Sequence, residues 1–165
     1  MRLGGIHMDT IEYLFPVVST VHTLAAVVWV GGMFFAHMAL RPSLMLEEPP
    51  VRLRVWREVF PRFFAWVWLC VIAIPVTGYA MVFVDFGGFA AAGRHVEVMH
   101  ILGWVMVFLF IFLFVRPFAN FKAAVAAEDF PTAAKHLAAI RRIVTTNLIL
   151  GILVTIAGVS GRFWG

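Results

Sequence analysis

Cysteine is nearly missing from this chain: Cys70 stands alone among 165 residues. A lone thiol excludes an intramolecular disulfide, a CxxC redox pair and the CxxCH attachment of c-type haem. Charge is scarce too, at 13% of residues against about 25% in a typical soluble domain. So few charges cannot coat a surface that faces water. P-loop, GxSxG and HExxH runs are all lacking, so hydrolytic and nucleotide-driven chemistry has no footing. The net charge of +4 comes from lysines and arginines between apolar runs, a pattern that argues against a nucleic-acid partner.

Apolar side chains are what the sequence has in excess. They make up 62% of it, with seventeen Phe and six Trp that suit lipid-facing and interfacial positions. Four apolar segments stand out, at roughly 14–40, 63–84, 96–115 and 143–163. Each has about 20 residues or more, enough to cross ~30 Å of hydrocarbon as helix. The expected fold is therefore all-α: an integral membrane four-helix bundle in one domain over 1–165. Polar loops are expected at 41–62 and 116–142, and a short glycine-rich connection around Gly87, Gly88 and Gly93. Asp9 and Glu12 precede a first run too long for the apolar core of a cleavable signal.

The basic residues orient the bundle. Arg41, Arg52, Arg54, Arg57 and Arg62 fall between the first two spans; Arg116, Lys122, Lys135, Arg141 and Arg142 fall between the last two. Ten of the thirteen Lys and Arg thus share one end. The positive-inside bias makes that end cytoplasmic and puts both termini outside. Pro131 and the run after it read as a helix start continuing into the fourth span. A weak internal repeat, matching His22, Leu24 and Val27 to His100, Leu102 and Val105, relates two hairpins. Each hairpin's first span ends in Arg-Pro, at Arg41-Pro42 and Arg116-Pro117. Exposed Phe and Trp on four short helices would permit a homodimer.

Histidine in hydrocarbon is expensive and points to a partner. His22 and His100 lie in different spans at comparable depth, roughly 12 Å and 6–8 Å from the outer entrance. Two imidazoles facing each other across a bundle can supply both axial ligands of one b-type haem. On the first span His22, Ala26, Trp29, Met33 and His37 share a stripe. Ala25, Ala26 and Gly103 leave room beside the histidines, Trp104 could wall the pocket, and Arg94 and Arg162 would meet the propionates. Hydrogen bonding across the bundle is the structural alternative. His37 lacks a second histidine at its depth and reads as an interfacial residue rather than a second haem ligand. Copper is the competing chemistry, with Met81, Met99, His95 and His37 as its imidazole and thioether candidates. Cys70 reads as a small buried hydrophobe. Asn147, Gly151, Thr155 and Gly158 read as a helix-packing stripe.

The run His22-Thr-Leu-Ala-Ala-Val-Val-Trp29-Val-Gly31-Gly32 resembles the first-helix motif of the CopD-like membrane proteins. Arg62-Phe63, Thr77-Gly78 and Arg141-Arg142 with Asn147 and Gly151 echo the same pattern. A similar first-helix motif opens the HemJ-type protoporphyrinogen oxidases. The resemblance implies a redox or metal-linked role in a bacterial inner membrane. On its CopD-like side it implies copper transport by a permease. On its HemJ-like side it implies b-type haem at His22 and porphyrinogen oxidation. The sequence departs from HemJ where Arg142 is followed by Ile143-Val-Thr-Thr-Asn147 and in lacking a Met-Glu-Arg-Arg-Leu type of run after the first span. The reading favoured at this point is a bis-His haem passing electrons from a membrane donor, such as a quinol, to an acceptor at the outer face.

Overall fold

Helix is the only regular structure among the described residues, which in this computed structural model are 5–164 for the backbone. Side chains are described from residue 15 to residue 164, apart from those at 85 and 162. Four continuous rods result: α1 (5–44), α2 (49–85), α3 (94–126) and α4 (130–160). Each holds a stretch long and apolar enough to cross a membrane, at Phe15–Leu44, Pro49–Val84, Arg94–Ala126 and Phe130–Ser160. The chain is an all-helical membrane bundle, as its composition implies.

The rods outrun the expected spans. Most of 41–62 and 116–142 is helix, and only 45–48 and 127–129 connect rods at the basic end. The extensions are polar outside and apolar inside: Leu53, Trp56 and Phe60 are buried on α2, and Ala133, Leu137 and Ile140 on α4. Apolar-run length misses such amphipathic ends because half their residues are polar. Asp129 caps α4, its carboxylate accepting the Thr132 backbone N–H at 3.1 Å. Hydrogen bonding by the Thr132 side chain, and then by its backbone N–H, holds the exposed Asp129 carboxyl below its ordinary range.

Both Arg-Pro ends are marked in the backbone. A π-helical turn at Ala36–Leu40 precedes Arg41-Pro42, and another at Phe114–Phe118 contains Arg116-Pro117. Proline cannot donate to the helical ladder, and a widened turn lets the ladder shift register around it. The repeat in sequence thus has a counterpart in shape. At the opposite end a third π turn, Met81–Asp85, leads into a connection where Gly87, Gly88 and Gly93 all have positive φ, which favours glycine.

α1 packs on α2 and on α4; α3 packs on α4 throughout and on α2 near the basic end. α1 and α3 face each other across the middle. The basic half is filled by rings: Phe64 meets Phe60, Phe110, Phe114 and Phe118 at centroid distances of 4.9–6.2 Å. Cys70 is buried in the same core. The other half is built around small residues. A Cβ on Gly151 would lie 2.8 Å from Val30, and one on Gly158 would lie 3.3 Å from the Met99 sulfur. Gly151→Leu should destabilise the bundle by about 1–3 kcal/mol through overpacking, read as a lower melting temperature in detergent. Gly31→Ala, where the added methyl meets nothing within 4 Å, should leave it unchanged.

Candidate functional site

The half with small residues holds a half-open cavity with about 150 Å³ of free space, walled by all four helices. His22, Ala26 and Trp29 enter it from α1, and Met99, His100, Gly103 and Trp104 from α3. The two histidines singled out in the sequence therefore line one space. So do both methionines of the copper alternative, Met81 and Met99. Among the described residues no three His, Cys, Asp or Glu side chains group as a metal site.

His22 is held by Thr77, which the sequence marked only through the Thr77-Gly78 echo of the CopD-like pattern. Its Nδ1 lies 2.9 Å from the Thr77 hydroxyl oxygen on α2. That hydroxyl has one proton and sits 2.6 Å from the Ala73 carbonyl oxygen, with the Ile74 carbonyl at 3.2 Å. With the proton on Ala73, the imidazole must be the donor through Nδ1–H. Nε2 then carries the lone pair and is left for a ligand. Gly78 lies beside the ring, where a Cβ would sit 3.4 Å from His22, an ordinary contact distance. Thr77 also back-bonds within its own helix, to the Ala73 and Ile74 carbonyls.

His100 is placed by rings instead. Tyr79 and Phe89 meet it edge to face at 5.5 and 5.0 Å, and no hydrogen bond engages its nitrogens among the described residues. Trp104 donates its indole N–H to the Tyr79 hydroxyl at 3.2 Å, locking the wall behind His100. Tyr79 and Phe89 were not legible as site residues; the only hint was that tyrosine is rare here and one of the two sits in a span.

Other candidates lie elsewhere. Arg94 is exposed and does not line the cavity, so it is not brought to His22 and His100. The reason is its place at the first residue of α3, where the chain emerges from the glycine connection. The Arg162 side chain lies outside the described residues. His95 packs against Trp164 at 6.5 Å, away from the cavity. His37 lines a separate, smaller cavity at the basic end with Arg41 and Arg141. The α4 stripe packs as read: Asn147 donates to the Met106 carbonyl at 3.2 Å, and Gly151 admits Val30 and Met106.

A family model, Copper resistance protein D (CopD), matches residues 57–160, more than half of the chain. The chain belongs to the CopD family. An uncharacterized protein of Aquifex aeolicus (strain VF5) is 32% identical over 142 residues, covering 86% of this chain and 90% of that protein. No solved structure matches. Family membership and four apolar helices make this a multi-pass membrane protein. The CopD match begins within α2, so His22 and its helix lie outside the matched segment, while Met81, Met99 and His100 lie inside it.

Thr77→Val keeps the shape and removes the partner of His22. It should cost about 0.6–1.7 kcal/mol, the span of interhelical hydrogen bonds in membranes, measured by thermal unfolding in detergent. Thr77→Ser should restore most of the loss.

Proposed function

We propose that this protein binds a cuprous ion between its helices and serves copper handling in the membrane. One observation carries the reading: two imidazoles, His22 and His100, and two thioethers, Met81 and Met99, line the same small apolar cavity. Imidazole and thioether are the ligands that select Cu(I) over harder cations. Monovalent charge also suits a site with few polar atoms, since desolvating a larger charge costs more. The His22 Nε2 lone pair, freed by the bond to Thr77, supplies one ligand position. Membership in a family named for copper resistance agrees with copper as the cargo. The gathering of basic residues at one end supports a cytoplasmic position for that end in a bacterial inner membrane, with both termini periplasmic.

A second reading is b-type haem ligated by His22 and His100. What favours it is that the two imidazoles come from helices facing each other across the bundle. The donor set suits haem iron, and the half-open side of the cavity would have to accommodate the macrocycle. Haem would supply one-electron chemistry between a membrane donor such as a quinol and an acceptor at the periplasmic end.

The detergent-purified chain, loaded with Cu(I) under reducing conditions, should retain about one copper by metal analysis and chelator competition. Because second-sphere changes alone cost about 10–100-fold in metal affinity, His22→Ala and His100→Ala should each lose at least that much. Met81→Leu and Met99→Leu should weaken binding without changing the melting temperature. A visible spectrum with sharp dithionite-reduced α and β bands, lost in His22→Ala, would replace copper with haem. A protein that binds neither would sink both.

A further inference from the structure

The second cavity, at the basic end, is independent of what occupies the first. It has about 30 Å³ of free space and is lined by His37, Arg41 and Arg141 with Trp56, Phe60 and Phe63 among its walls. Eight of the described lysines and arginines are exposed: Arg54, Arg57, Arg62, Arg94, Arg116, Lys122, Lys135 and Arg142. Arg41, Arg52 and Arg141 are half-buried. These same three arginines sit close enough for Arg141 to feel the like charge of the other two.

The ion pairs lie elsewhere. Among the described residues the ion pairs are Arg54 with Glu128 at 3.4 Å and Arg62 with Glu58 at 3.3 Å. Neither includes a half-buried arginine. The Arg52 guanidinium instead donates to the Met45 thioether, a weak acceptor, at 3.3 Å. Like charges drawn out of water without a counter-charge are unfavourable twice, by desolvation and by mutual repulsion. Their persistence calls for an anion. The space matches one compact oxyanion, and guanidinium forks match phosphate oxygens.

We infer that Arg41 and Arg141, supported by Arg52 and His37, bind a phosphate oxyanion presented by an anionic phospholipid head group. A basic pocket between membrane helices, near the ends of apolar spans, is the usual setting for such recognition. Trp56 and Phe63 would flank the glycerol and first methylenes, as aromatic rings do at the interface.

Native mass spectrometry of the delipidated full chain, titrated with phosphatidylglycerol or phosphatidylcholine, tests this. Wild type should prefer phosphatidylglycerol, and the R41Q/R141Q double variant should lose roughly tenfold or more of that binding, the scale of one charge-assisted hydrogen bond. R142Q, at an exposed arginine, should bind as wild type does. Should the double variant fail to fold, the singles R41Q and R141Q are read by the melting-temperature rise on adding phosphatidylglycerol, which should shrink in each. A separate arm adds inorganic phosphate alone. Stabilisation by phosphate that is lost in R41Q and R141Q would uphold the oxyanion site and assign it to a free anion. Equal phosphatidylglycerol binding by wild type and R41Q/R141Q, with no response to phosphate, would overturn it.

Discussion

Lipid as solvent removes the force that assembles most proteins. Apolar rings gain little by leaving hydrocarbon for one another, so the bundle depends on shape and on satisfied polar groups. The chain solves the first requirement in two ways along one axis. Near the basic end Trp56, Phe60, Phe64, Phe110, Phe114 and Phe118 fill the centre with interlocked rings. Toward the termini Ala26, Gly78, Gly103 and Gly151 replace bulk with small residues along the wall of a cavity. The site exists where the ring packing stops.

Polar groups in that half are tied to the packing. His22 is held through Thr77, Trp104 through Tyr79, and Asn147 through the Met106 carbonyl. Each bond joins two helices, so the groups that stiffen the bundle also aim the cavity wall. Asn147 is the exception: its carbonyl oxygen is buried and has no partner among the described residues. That orphan acceptor has a cost in a low-dielectric interior. It sits on α4 between the cavity level at Gly151 and the basic-end level at Arg141, where the two halves of the bundle meet.

Much of this was legible in the sequence because the physics was one-dimensional. Four runs of lipid-compatible length, the sidedness of arginine and the start of α4 after Pro131 are properties of order along the chain. His22 and His100 were legible as residues of one half of the bundle because comparable depth in two hairpins follows from counting residues. What escaped depends on rotation about the helix axis and on neighbours remote in sequence. Thr77 carried no sign of a partner until α1 placed His22 against it. Arg94 looked like a propionate partner by depth, yet points out to solvent. The loops at 41–62 and 116–142 became helix because Trp56, Phe60 and Ile140 give them an apolar face that average composition hides.

The size of the cavity gives the two chemistries opposite mechanical consequences. α1 and α3 contribute the imidazoles but are joined mainly through their neighbours, with Trp29 meeting Phe110 at 6.3 Å below the cavity. A single small ion between His22, His100 and the two thioethers would pull these helices inward, toward metal–ligand distances. A macrocycle would push them apart and expose the ring-packed half to strain. That half is dense and, like protein interiors generally, resists gradual deformation. Closure around an ion, as the proposed copper reading requires, calls for no more room than the cavity already offers.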